Sequence, residues 1–123
     1  MSSCESTNES ANSDSPNVVQ AVQVYYTPLG GGYGKYRVTA TAIPPQASAT
    51  GIPKATVYVI GSGVVRKPIE NEPMTLVPSS STMYYVERFA PGPASGDRYY
   101  AQVIVDWQII QRESADSPVK TMP

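Results

Sequence analysis

The chain has 123 residues, enough for one domain, with nine basic and ten acidic side chains. That balance lacks the basic footprint of a nucleic-acid binder. The absence of histidine and the single cysteine, Cys4, rule out a histidine-based triad, an internal disulfide and the usual nitrogen and sulfur ligand sets for zinc.

Residues 1–17, MSSCESTNESANSDSPN, are rich in Ser and Asn and carry Glu5, Glu9 and Asp14 with no basic side chain. So little apolar surface cannot offset the entropy of ordering, and the composition predicts a flexible acidic tail before a body at 18–123. With three of the acids in the tail, the body is left near plus two. MSSC is similar to the end of a lipoprotein signal, but the apolar segment such a signal needs is absent, and no apolar run approaches a membrane span. Asn8-Glu9-Ser10 matches a glycosylation sequon by pattern alone.

Twelve prolines and nine glycines punctuate the body, and Val, Thr, Tyr and Ile fill the gaps. Apolar spacing of helical period is missing, so the body reads as successive strands. The first strand is expected over Val18–Tyr26, followed by a mobile connection through Pro28 and GGGYG. KYRVTATAI alternates, with Tyr36, Val38, Ala40 and Ala42 on one face and Lys35, Arg37, Thr39 and Thr41 on the other, as in a half-buried antiparallel strand. PPQASATGIP is a loop, and KATVYVI is a third strand ended by GSG. Val64–Lys67 predicts a short strand, KPIENEP a loop and MTLV an edge piece. Thr82–Arg88 is the next strand. The longest is expected from Arg98 to about Ile110, with Tyr99, Ala101, Val103, Val105 and Trp107 on one face and Tyr100, Gln102, Ile104, Asp106 and Gln108 on the other. SPVKT closes the chain. Seven or eight short strands at this spacing predict an all-β antiparallel sandwich, with a barrel as the structural alternative.

Several segments, in this order, resemble an immunoglobulin-like or fibronectin type III-like sandwich of the bacterial or viral kind. VTATAIPP resembles the second strand and its proline exit, and ATVYVIGSG the third strand and its turn. STMYYVERFAPG is similar to the fifth, with Tyr84, Val86 and Phe89 in its apolar positions. GDRYYAQVIV resembles the sixth, and ESADSPVKT the route into the seventh. The resemblance implies inward rings at Tyr36, Tyr84, Phe89 and Tyr99, with a change of phase between Val86 and Phe89. It also implies that the third and sixth strands are neighbours. The second strand offers only Ala40 and Ala42 where the family carries a core tryptophan, and Trp107 sits late in the chain.

If those strands are neighbours, Tyr58, Ile60, Tyr100, Gln102 and Ile104 share an outer face. Such a patch either stabilises the sheet through cross-strand pairs or docks a protein. Tyr25, Tyr26 and Tyr33, near the Gly-rich loop, form a second candidate patch. Carbohydrate binding is a further possibility, with Asp106, Trp107 and Gln108 at one end of a site.

Catalytic parts are scarce. Cys4 has no basic neighbour to activate it. Glu70 and Glu72 flank one asparagine in the manner of a solvated turn. GGGYG lacks the lysine and the strand-to-helix setting of a phosphate cradle. The expected role is therefore non-enzymatic, with no cofactor and no metal: a structural or interaction module that docks on a protein or self-assembles, at a virion or cell surface rather than in the cytoplasm. The alternative is a secreted or lipid-anchored surface module that binds a protein or a glycan.

Overall fold

A computed structural model describes residues 19–44, 50–107 and 112–123. The expected tail, and its boundary with the body, lie outside the described residues, as does Gln108. Nine antiparallel strands form two sheets among the described residues. One has the order β1(Val19–Gly30), β2(Tyr33–Ala42), β6(Met83–Pro91), β5(Thr75–Leu76). The other has the order β4(Val64–Pro73), β3(Lys54–Gly61), β7(Arg98–Val105), β8(Glu113–Asp116), and β9(Lys120–Thr121) also pairs with β7. The expected all-β sandwich is the observed architecture. No helix among the described residues is long and apolar enough to cross a membrane.

Alternation builds the core. Tyr36, Val38, Ala40 and Ala42 of β2 face Val57 and Val59 of β3 and Tyr99, Ala101, Val103 and Val105 of β7 across one buried layer. Each valine withdrawn from water contributes roughly 1.5 kcal/mol or more. In β1, Val19 and Val22 are three residues apart yet both buried. A bulge at Ala21, with φ 54°, resets the phase between them.

Several boundaries differ from the sequence expectations. β1 runs past Tyr26 to Gly30, and what was expected to be a mobile Gly-rich connection is a two-residue hairpin turn. Gly31 and Gly32 take φ 64° and 80°, the paired positive values that match the twist of adjoining strands. Ser62 and Gly63, at φ 52° and 74°, make the same kind of turn between β3 and β4. KPIENEP, expected as a loop, lies within β4. An edge strand tolerates Pro68, and the register shifts around Val57 place Ile69 in the core. Asn71, at φ 51°, donates its backbone N–H to Thr56 Oγ1 at 3.0 Å. β7 ends at Val105 rather than near Ile110, although Trp107 beyond it is buried.

Phe89 requires a correction. The pairing of β2 with β6 is unbroken from Thr41↔Met83 to Tyr33↔Pro91, so no phase change occurs. Val86 points inward, Ala90 takes the next apolar inward place, and Phe89 lies outside opposite Lys35. Tyr84 packs against the core while remaining partly open.

Candidate functional site

The outer face of the five-stranded sheet follows from its register: Tyr58↔Tyr100, Ile60↔Arg98, Thr56↔Gln102 and Lys54↔Ile104. Tyr58, Ile60, Tyr100, Gln102 and Ile104 are therefore together, all half-buried. The Tyr58 and Tyr100 rings stack at 5.0 Å with planes 20° apart. Lys67, from the strand on the other side of β3, sits 5.8 Å over Tyr58. The Tyr58 ring is thus engaged within the chain by Tyr100 and Lys67.

At one end of this face is an open groove of about 590 Å³, lined among others by Lys54, Asn71, Ile104, Asp106 and Arg112. Arg112 Nε donates to Asp106 Oδ1 at 2.7 Å and Nη2 reaches Oδ2 at 3.4 Å. That guanidinium, with Lys54 adding a smaller effect, holds the Asp106 carboxyl below its usual range. Trp107 is buried, so its ring gives a sugar no open surface on which to stack.

The other outer face, on the four-stranded sheet, is more open. Tyr25↔Arg37↔Glu87, Lys35↔Phe89, Thr39↔Tyr85 and Tyr33↔Pro91 place these side chains on one surface. Glu87 Oε2 accepts a 2.6 Å bond from Arg37 Nη1 and lies 3.5 Å from Lys35 Nζ. The Arg37 bond, followed by the Lys35 charge, holds the Glu87 carboxyl below its usual range. Arg37 also lies 4.9 Å over the Tyr85 ring. Beside this network Phe89 is 71% exposed and Tyr33 56%, and Leu29 at the hairpin tip is 61% exposed. Tyr25 is open but carries Lys120 Nζ 4.5 Å over its ring.

Of the second aromatic group, Tyr25 and Tyr33 face outward. Tyr26 turns inward, 4.8 Å from Tyr36 with planes 49° apart, and lies against Gly34 and Gly92, where any side chain would collide with it. Phe89 joins this surface although an aromatic before a Pro-Gly pair resembles a core position. Strand alternation from Val86 is the signal that places it outside.

This surface rests on a stiff mount. Tyr36 Oη donates to the Pro91 carbonyl at 2.8 Å, Arg66 Nη2 to the Gly92 carbonyl at 2.8 Å, and the Gly92 N–H to the Gly32 carbonyl at 2.8 Å. Burial is the main reason the Tyr36 hydroxyl is pushed up to about 12, with Arg66 opposing the shift.

Comparison with family models, curated proteins and solved structures gave no match to this chain.

Proposed function

We propose that this chain is a non-enzymatic interaction module, an immunoglobulin-like or fibronectin type III-like sandwich that docks on another protein within an assembly such as a virion or a surface filament. Support for the kinship comes from the strand order. β1-β2-β6-β5 packed on β4-β3-β7-β8 follows the two-sheet arrangement of such sandwiches, in which the second and fifth of seven strands pair in one sheet and the third and sixth in the other.

The observation that carries the docking reading is the open pair of Phe89 and Tyr33 on adjacent strands. Sheet stabilisation accounts for Tyr58 and Tyr100, which bury much of their surface on each other. It does not account for Phe89, whose ring remains in water. Aromatic residues with an arginine close by are the composition enriched at interface centres. The glycan alternative has the groove at Asp106 and Arg112 in its favour but lacks an open ring beside it.

The test is a photoreactive phenylalanine analogue at position 89, crosslinked in the cell that makes the protein. Binding of the captured protein to the wild type is then compared with binding to the Tyr33→Ser/Phe89→Ser double variant. Loss of binding with unchanged thermal stability supports the assignment. Equal affinity for the two forms rejects this surface.

A further inference from the structure

We propose that the partner docked on the outer face of the four-stranded sheet presents an acidic, extended segment, with its carboxylates at Lys35 and Arg37 and an adjoining apolar side chain over Phe89 and Tyr33. This rests on the docking reading of that face and names the chemistry of what docks there.

The first support is a surplus of positive charge. Register places Lys35 and Arg37 of β2 on this face, opposite Phe89 and Glu87 of β6. Lys120 reaches the same face, its ammonium 4.5 Å over the ring of Tyr25, which stands opposite Arg37. Against these three cations the face holds one carboxylate among the described residues, that of Glu87. It is shared, at 2.6 Å from Arg37 and 3.5 Å from Lys35. Glu72 of the other sheet is taken by Arg88. Two of the cations are also held in place: Arg37 by Glu87 and the Tyr85 ring, Lys120 by the Val24 carbonyl. Less side-chain entropy is then lost when a carboxylate arrives.

Spacing supplies the second support. Lys35 and Arg37 are alternate residues of one strand, so their side chains emerge about 7 Å apart. An extended segment laid along β2 presents its own alternate residues at the same interval. Phe89, opposite Lys35, and Tyr33, two residues before it, make an apolar step beside the ammonium. Apolar groups that exclude water around an ion pair strengthen it. The same features select against other occupants. A second copy docked through this face would bring the same positive surplus to it. The row of cations on β2 is two residues long, between Tyr33 and Thr39, which is short of the continuous run of phosphates in a nucleic acid.

The test is an NMR titration of the full, isotope-labelled chain with two short peptides. One alternates glutamate with leucine and phenylalanine, and the other has glutamine in place of each glutamate. The acidic peptide should shift the amides of Lys35, Arg37 and Phe89. It should bind about fivefold more tightly than the amide peptide at about 0.1 M salt, the effect of one or two exposed charge pairs, and lose that advantage at about 1 M. Glu87→Gln removes the resident competitor and should tighten the acidic peptide severalfold while leaving the amide peptide unchanged. Lys35→Gln/Arg37→Gln should bring the acidic peptide down to the affinity of the amide one, at an unchanged melting temperature. Equal affinity for the two peptides at low salt, no shift of these amides by either, or no gain in Glu87→Gln overturns the acidic partner. The docking face itself is judged separately, by the crosslink at position 89. Tighter binding of a short oligothymidylate than of the acidic peptide also overturns the inference, in favour of a nucleic acid.

Discussion

Replacing Tyr36 with Phe removes one hydroxyl from the most buried aromatic of the sandwich, and its effect should reverse with pH. The hydroxyl donates to the Pro91 carbonyl at 2.8 Å. Deleting it at pH 8 costs about 1 kcal/mol, the net value of such a bond, because Arg66 Nη1 at 3.5 Å is a poor replacement donor. The same hydroxyl is pushed up from 10.0 to about 12, chiefly by burial. Its raised value means that the folded state keeps the proton while the unfolded chain loses it above pH 10. The stability from this group is therefore complete below pH 10 and falls as pH rises towards 12. At pH 11 the wild type has lost about 1.4 kcal/mol from this one group, which phenylalanine cannot lose. The Tyr36→Phe variant, less stable than the wild type at pH 8, should match or slightly exceed it at pH 11. Burial raises Tyr99 as well, but its contribution is common to both proteins and cancels in the difference. Urea unfolding of both proteins at the two pH values measures the double difference. A stability gap that stays constant from pH 8 to pH 11 would refute the reasoning.

Four further substitutions test the packing. Ser117→Ala should cost about 1–3 kcal/mol in urea unfolding, because Ser117 Oγ accepts from the buried Ala101 N–H at 2.8 Å and no other acceptor replaces it. Gly92→Ala should destabilise by about 1–3 kcal/mol, since the new methyl meets the Tyr26 hydroxyl. Adding Tyr26→Phe should recover part of that loss, and a strictly additive double variant would contradict the contact. Phe89→Ser should leave the melting temperature nearly unchanged, within about 0.5 kcal/mol in stability, whereas a core position would lose several times as much.

Strand alternation made the sandwich legible because one layer of side chains faces inward on every long strand. Tyr36, Val38, Ala40 and Ala42, and likewise Tyr99, Ala101, Val103 and Val105, were assigned to their face by period alone. What period cannot reveal is where a strand slips phase. The bulge at Ala21 keeps Val19 and Val22 on one side, while the absence of a bulge in β6 sends Phe89 to the other. Glycine content suggested mobility at GGGYG, yet paired positive φ angles make it a tight turn. The Tyr58–Tyr100 face was legible from neighbouring-strand alternation. Its stacked rings and the Lys67 above them depended on side-chain geometry, and the larger opening around Phe89 depended on register.

The sheet edges are guarded where the faces are open, so a protein docking as proposed would meet this molecule face-on. β5 and β8 are short, and β4 carries Pro68, Pro73 and a left-handed Asn71. β1 is the long exception, with twelve residues at the edge of its sheet. Between the bulge at Ala21 and Pro28 it presents Val22-Gln23-Val24-Tyr25-Tyr26-Thr27, an uncharged stretch of the kind that stacks into cross-β assemblies. Lys120 guards the middle of it: its ammonium donates to the Val24 carbonyl at 2.6 Å and covers the Tyr25 ring. Lys120→Ala should therefore shorten the lag of aggregation severalfold under conditions where the wild type remains folded, followed by light scattering and an amyloid dye. Lys120→Arg should retain the cap and the wild-type lag. If Lys120→Ala aggregates no faster than the wild type, or if the arginine variant aggregates as fast as the alanine one, the ammonium is not the guard and the β1 edge becomes a docking route to set beside Phe89 and Tyr33.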